Sequence, residues 1–526
     1  MKRRDVLKSA LAGATALAAP RIVKAEAQRT ITFVPHADLA SFDPVWTTAD
    51  ITRNFSLAVF DTLYGYDAEF AVQPQMVEGH TTTNDGKQWD ITLRDGLRFH
   101  DKTPVLARDC VATIKRWAVR DPLGQAMMAR VAEITAPSDK VIQIRLNKPF
   151  SLVPTALAQV NCAMMPERLA ATDPMKQIPE PIGSGPFRFI AAERIPGARV
   201  VYEKNTDYVP RTSGKPSFNA GPKIVYVDRV VWNFIPDPAT ASAALSQGEI
   251  DWWENPTIDL IPQLRTNKDL VITVKDRTGE IGCLRFNQLY PPFDNPAIRR
   301  VVMSAIDQKE IMTVVAGAEP ALIKTDVGIF VPGTPMASDV GVEVTRGPKD
   351  YEKIGKDLIA AGYKGEKVVV LGAQSIPAIF AEAQVATDVL KKIGMNVDFR
   401  ISDWGTVVQR RASKEPPDKG GWNVFYTYLG GFGNISPAPD ISIRGNGAGA
   451  WFGWPTDPKM EALRDAWFEA PDLAAQQKLC RDMQVEYFQN PPYVALGMYD
   501  SPTAFHRYLK DIRDGWPQFY GVQKTA

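Results

Sequence analysis

Four histidines, four cysteines and two glycine-rich stretches are the places where this 526-residue chain could do chemistry. His36, His80, His100 and His506 form neither an HExxH helix nor a close pair, so the usual zinc spacings are absent. Cys110, Cys162, Cys283 and Cys480 stand too far apart for a CxxC redox motif or a zinc ribbon. An oxidising compartment would permit disulfides. Isolated buried thiols are the expectation, because Cys110 and Cys480 fall on apolar helical faces. Gly183-Ser184-Gly185 has the look of a phosphate cradle, but no Lys-Ser or Lys-Thr pair follows it and Gly-x-Ser-x-Gly is not met. Gly445, Gly447 and Gly449 lack the preceding strand and following helix of a dinucleotide loop, and read as a flexible loop. With no nucleophile constellation and no carboxylate pair that sequence can place, neither catalysis nor a cofactor is expected.

The bulk numbers bound the class of protein. The chain is 45% hydrophobic and 23% charged, a globular composition with ample core for two to four domains. Lys2-Arg3-Arg4-Asp5-Val6-Leu7-Lys8 resembles a twin-arginine export motif, and the apolar run Ala10 to Ala19 follows it. Val23-Lys24-Ala25 suits cleavage, so residues 1–25 read as a twin-arginine signal peptide, too short in its apolar part for a membrane anchor. Cleavage removes six basic residues and one acidic residue from the 61 and 60 of the whole chain, leaving the mature protein at net −4. Nucleic acid is not an expected partner.

The elements that must position any site are legible around Trp89 to Trp117. Trp89, Ile91 and Leu93 alternate with polar residues, a strand with one buried face. Asp95-Gly96 predicts a hairpin turn and Leu97 to Phe99 a second strand. Thr103 and Pro104 suit the N-cap and first turn of a helix that Ala107, Cys110, Val111, Ile114 and Trp117 continue. Further along, Tyr226 to Phe234 reads as a strand and Asp237 to Gln247 as a helix. Val368 to Leu371 and Met395 to Ile401 flank a helix from about Ile379 to Ile393, which implies parallel strands. Trp422 to Thr427 is another strand. Met460 to Ala470 and Leu473 to Gln489 are helices.

Leu93-Arg94, Gly96, Phe99, Asp101, Pro104, Ala107 and Asp109 resemble the signature of the family 5 extracellular solute-binding proteins of ABC importers, the peptide, nickel and opine binders. Lys102 stands where that family usually has Gly, and Cys110 where it has Val. Leu39 to Pro44, Phe60 to Tyr64, Pro181 to Phe189, Gly248 to Asp251, Pro291 to Arg300 and Pro491 to Leu496 match later phrases of the family in order.

The resemblance implies an α/β periplasmic-binding-protein fold of the cluster C type, two lobes with a hinge plus an extra small domain. Lobe I is expected from 26–70, 183–275 and 490–526, the small domain from 71–182, and lobe II from 276–489. The late strand at Pro491 to Leu496 is expected to cross back toward lobe I. The function implied is that of the substrate-binding component of an ABC transporter, a periplasmic monomer that passes a peptide-like or other small organic solute to a permease. A secreted enzyme, or a periplasmic sensor or chaperone on the same fold, is the alternative.

By the same resemblance the ligand sits between the lobes. Trp46, Arg277, Gln374, Trp404, Tyr428, Phe432, Asn434, Arg444 and Trp451 are the expected wall residues. Peptide binders of the family carry Asp in the loop that here reads Tyr428 to Ser436, and dipeptide binders carry Arg near Gln374 to Pro377. Both charges are missing here, so a free dipeptide is a poor candidate. Arg277 and Arg444 are either anion anchors or surface groups paired with Asp276, Glu280 or Asp440. The expectation is a neutral or anionic ligand with an apolar or ring-bearing body, such as a modified peptide, an opine-like conjugate or a glycoside.

Overall fold

The computed structural model describes residues 29–317, 319–470 and 472–525. The proposed signal peptide lies outside them. Two mixed sheets carry the architecture. The first has seven strands in the order Leu270–Val274, Pro502–His506, Trp252–Trp253, Thr30–Val34, Arg229–Asn233, Arg199–Lys204 and Phe187–Phe189. The second has six: Ile323–Lys324, Tyr493–Tyr499, Glu280–Phe286, Val424–Gly430, Lys367–Ala373 and Asn396–Ser402. The chain passes from the first sheet to the second through residues 275–279 and returns through 500–501. Among the described residues no helix is long and apolar enough to cross a membrane.

A third sheet of four antiparallel strands, Val77–Thr83, Gln88–Leu93, Val141–Leu146 and Val131–Thr135, shares no strand with the other two. Trp89, Ile91 and Leu93 are buried, as their alternation predicts. The strand they form pairs with Val77–Thr83 and Val141–Leu146 rather than with Leu97 to Phe99. Beyond the Asp95-Gly96 turn the chain makes only an isolated bridge between Arg98 and Pro104. Asp101 explains the difference: its carboxylate accepts both the amide (3.0 Å) and the hydroxyl (2.6 Å) of Thr103, so Thr103 closes a loop and does not cap a helix. The helix starts later, at Ala107, where the Asp109 carboxylate accepts the Leu106 amide at 2.9 Å.

The helix expected from Asp237 runs Pro238–Gln247, and Asp237 caps it, accepting the Thr240 amide at 2.7 Å. Lys367–Ala373 and Asn396–Ser402 are parallel and are joined by the helix Pro377–Lys392, also as expected. The late strand differs. It runs from Tyr493 to Tyr499 and pairs antiparallel with Glu280–Phe286, so it belongs to the second sheet. The crossing to the first sheet comes after it, where Pro502–His506 pairs with Leu270–Val274. All four cysteines are free and buried. The Gly183-Ser184-Gly185 segment is a close backbone crossing: a methyl group on Gly183 would fall 2.2 Å from the Val59 carbonyl oxygen.

Candidate functional site

Asp43, in the loop before the helix Asp50–Val59, accepts amide bonds from Val45 (3.0 Å), Trp46 (3.2 Å) and Ile178 (2.9 Å). Arg116 meets the same carboxylate with two nitrogens, at 3.1 and 2.7 Å, and both side chains are almost wholly buried. This fixes the short loop that carries Thr47 and Thr48. Asp50 and Arg53 follow on the helix, paired at 2.8 Å, and the Arg53 guanidinium lies 4.4 Å over the Trp516 ring.

The opposite wall comes from the second sheet. Asp403 caps the helix Trp404–Arg410, accepting the Thr406 amide at 2.9 Å, and the Ser375 hydroxyl accepts the Trp404 amide at 2.8 Å. Arg411 closes that helix. Its side chain is 2% exposed, and among the described residues neither Nε nor Nη2 has a hydrogen-bond partner. The guanidinium is surrounded by rings instead: Phe452 at 4.8 Å, Trp404 at 5.2 Å, Phe425 at 5.6 Å and Trp451 at 5.7 Å. Burial pushes its pKa down to about 9.

Between these walls lies a cavity of about 190 Å³, lined by Thr47, Thr48, Asp50, Arg53, Trp404, Arg411, Tyr428, Phe432, Asn434 and Trp451. Asp121, Pro122 and Gln159 to Asn161 close it from the helices beside the small sheet. The strand Val424–Gly430 and the loop after it supply Tyr428, Phe432 and Asn434. Few polar bonds span the two walls. One is from Trp451 Nε1 to the Thr48 hydroxyl at 3.3 Å, another from Asn446 to Gln125 at 3.0 Å.

Of the nine expected wall residues, Trp404, Tyr428, Phe432, Asn434 and Trp451 meet in this cavity. Trp46 is half-buried and lines an adjoining cavity, of about 210 Å³, that shares Thr48, Asp121 and Trp451 with the first. Three residues lie elsewhere. Arg277 is exposed on the crossover and lines none of the cavities described here. Gln374 is also exposed, its backbone tied to the Ser402 carbonyl at 3.0 Å. Arg444 is buried but pairs with Glu461, at 3.0 and 2.9 Å, so it has no charge to spare for a ligand. Asp440, the first acid after the loop, is buried and holds Ser442 through its amide (2.8 Å) and hydroxyl (2.6 Å). Burial pushes its pKa up to about 6.

Sequence reasoning missed the charged residues of this cavity, of which Arg411 is the most buried. A signal was present: it follows Trp404 by seven positions, two turns along one helical face, inside a stretch reading Gln409-Arg410-Arg411. Asp50 and Arg53 were missed for want of any motif.

Residues 71–449 match the family model described as "Bacterial extracellular solute-binding proteins, family 5 Middle". A relative from Sinorhizobium fredii, named "Probable peptide ABC transporter periplasmic-binding protein y4tO", is 36% identical over 532 residues and covers 100% of both chains. The periplasmic binding protein DppA of Helicobacter pylori, solved with the peptide STSA, superposes with a TM-score of 0.77 at 20% identity, covering 96% of this chain and 100% of its own. AgaA of A. tumefaciens R10, solved with agropinic acid, gives a TM-score of 0.75 at 22% identity, covering 93% of this chain and 96% of its own. The chain thus belongs to the bacterial extracellular solute-binding proteins of family 5, the solute-capturing components of ABC transporters.

Proposed function

We propose that this protein captures a small organic acid, peptide-like or opine-like, between its two sheets and presents it to the permease of an ABC importer. One observation carries the ligand class: the Arg411 guanidinium, buried and without an anionic partner among the described residues, at the wall of the inter-sheet cavity. A desolvated cation of this kind is completed by a carboxylate, which accepts two parallel bonds from it. Trp404 and Trp451 beside it offer faces to an apolar or ring-bearing body.

A peptide is the second reading, favoured by the name of the 36%-identical relative. A peptide's terminal carboxylate would use Arg411 in the same way. Its ammonium would face Asp50, which already holds Arg53 at 2.8 Å, so acids without a free amine are the better fit.

The two lobes of this reading are built around the two large sheets, the first from 26–70, 183–275 and the C-terminal segment beginning at 502, the second from 276 to 501. Residues 71–182 form the extra small domain. The protein works as a monomer in the periplasm, binds rather than transforms its ligand, and is exported by the twin-arginine route. The test is native mass spectrometry of protein from its own periplasm, to read the mass of any co-purified solute. Calorimetry of that solute and of its amide against wild type and Arg411→Gln then follows. Binding of the acid lost in both the amide and the variant supports the reading. Equal binding of acid and amide overturns it.

A further inference from the structure

Glu280 opens the strand that the chain enters after its first crossover between the sheets. Ser501, on the return crossover, donates its hydroxyl to Glu280 Oε2 at 3.1 Å, so one carboxyl ties the two connections of the hinge together. The surface Glu280 keeps is not bulk surface. It lines two inner cavities between the lobes, one shared with His36, Tyr428 and Tyr499, the other with Asp50, Arg53 and Glu254.

We propose that lobe closure takes up a proton at Glu280, so that acid favours the closed form and alkali the open one.

The charges around Glu280 explain the direction. From lobe I it faces His36 and Asp50. From its own lobe it faces Tyr499, Tyr428 and Glu382, whose two oxygens are buried without a hydrogen-bond partner among the described residues. Lys275 and Asp276 stand on the crossover beside it. His36 gives Glu280 little relief. Its ring Nδ1 and its backbone amide both bind Glu254 at 2.8 Å, and the other oxygen of Glu254 takes Asn54 at 2.6 Å. All three of those residues belong to lobe I, so the His36–Glu254 pair persists whether the lobes are open or shut. Arg53 is paired to Asp50. An ionised Glu280 is therefore left against Asp50 with no cation of its own. Burial, with a smaller push from Asp50, moves its pKa up to about 7, although His36 and the Ser501 hydrogen bond work against the shift.

Opening the lobes moves Glu280 away from Asp50 and lets water in, returning it toward an ordinary glutamate value near 4.5. A carboxyl whose value is higher closed than open binds its proton as the lobes shut. The closed form then has its full advantage below about 4.5 and loses it as pH rises through about 7, with no further change well above that.

The mature protein, with Glu249→Cys in lobe I and Lys391→Cys in lobe II, can be spin-labelled at those two sites alone, because the native thiols are buried. Inter-label distances recorded from pH 4.5 to 9 without added solute report the closed fraction. The expected closed-to-open ratio falls about tenfold per pH unit between about 5 and 7 and is flat above about 8. In Glu280→Gln it should stay at the acid value throughout. Ser501→Ala removes a bond that favours the ionised form, so its transition should move to higher pH. Because no solute is added, the outcome stands apart from the ligand class, which the acid-against-amide calorimetry tests separately. A wild-type ratio independent of pH overturns the proposal, as does an unaltered profile in natively folded Glu280→Gln. Should that variant not fold, an unmoved transition in Ser501→Ala overturns it equally.

Discussion

Phe432 meets Tyr66 edge-on, with ring centroids 4.9 Å apart. Phe432 belongs to the loop after a strand of the second sheet, whereas Tyr66 ends the strand Tyr64–Tyr66, which pairs with Val72–Pro74 outside that sheet. Trp516 (5.1 Å), Phe70 (5.4 Å) and Phe218 (6.0 Å) complete the ring of aromatics around Phe432. The loop aromatic thus works both as cavity wall and as a plug joining the lobes.

Phe432→Ala should weaken closure. Each aromatic pair contributes about 0.5–1.5 kcal/mol beyond area burial, so a loss of about 2 kcal/mol is expected, roughly thirtyfold in affinity. Calorimetry with the co-purified solute measures it, and small-angle scattering should show a larger radius than wild type under the same conditions.

Arg411→Met should raise the stability of the ligand-free protein while abolishing binding of an acidic solute. A buried cation without a partner is a desolvation penalty, and an apolar side chain of similar length removes it for about 1–4 kcal/mol. Thermal unfolding of apo wild type and variant decides the sign. A lower melting temperature in the variant would show that Arg411 stabilises the empty protein.

Asp43→Ala should cost about 3–5 kcal/mol, because it strands the Arg116 guanidinium in the interior and frees three backbone amides. Urea unfolding measures the loss. Binding should fall as well, since the loop carrying Thr47 and Thr48 is no longer fixed.

Lys102→Gly should stabilise the protein by about 1 kcal/mol. Lys102 has φ +71°, a left-handed conformation that costs a side chain roughly 1–2 kcal/mol and costs glycine far less. Thermal unfolding checks it, and no change would mean that the Lys102 side chain makes up the strain through its surroundings.

Arg3→Lys with Arg4→Lys should leave precursor in the cytoplasm, because the pair is the core of the export motif. Cell fractionation with an antibody reads the outcome, and normal periplasmic yield would discard that route.

Lys102 also shows what the sequence could reveal. A phrase dense enough to assign the family showed Lys in place of Gly, and only the backbone angle gives that exchange a physical meaning. Elements with a strong period, such as the strand at Trp89 to Leu93 and the parallel pair around Pro377–Lys392, could be read directly because burial imposes the period. The turn at Asp101 could not, since one carboxylate decides whether Thr103 caps a helix or closes a loop. The aromatics Trp404, Tyr428, Phe432 and Trp451 were legible as a cluster. The charges were not. Arg277, Arg444 and Arg411 look alike in one dimension, and their difference lies in whether Glu461, water or nothing completes each guanidinium.

The backbone crossing at Gly183 and Gly185 has one more consequence. The Gly185 amide bonds the Val59 carbonyl at 2.9 Å, so the chain comes back, more than a hundred residues later, to the place it left. A segment with adjoining ends can vary away from such contacts as the Arg116–Asp43 pair without moving what lies on either side. That segment carries Asp121 and Gln159 to Asn161, one wall of the cavity, and none of its strands belongs to either large sheet. Evolution, or an engineer, can alter what the cavity admits by working on this piece alone, and leave the hinge and its two crossovers untouched.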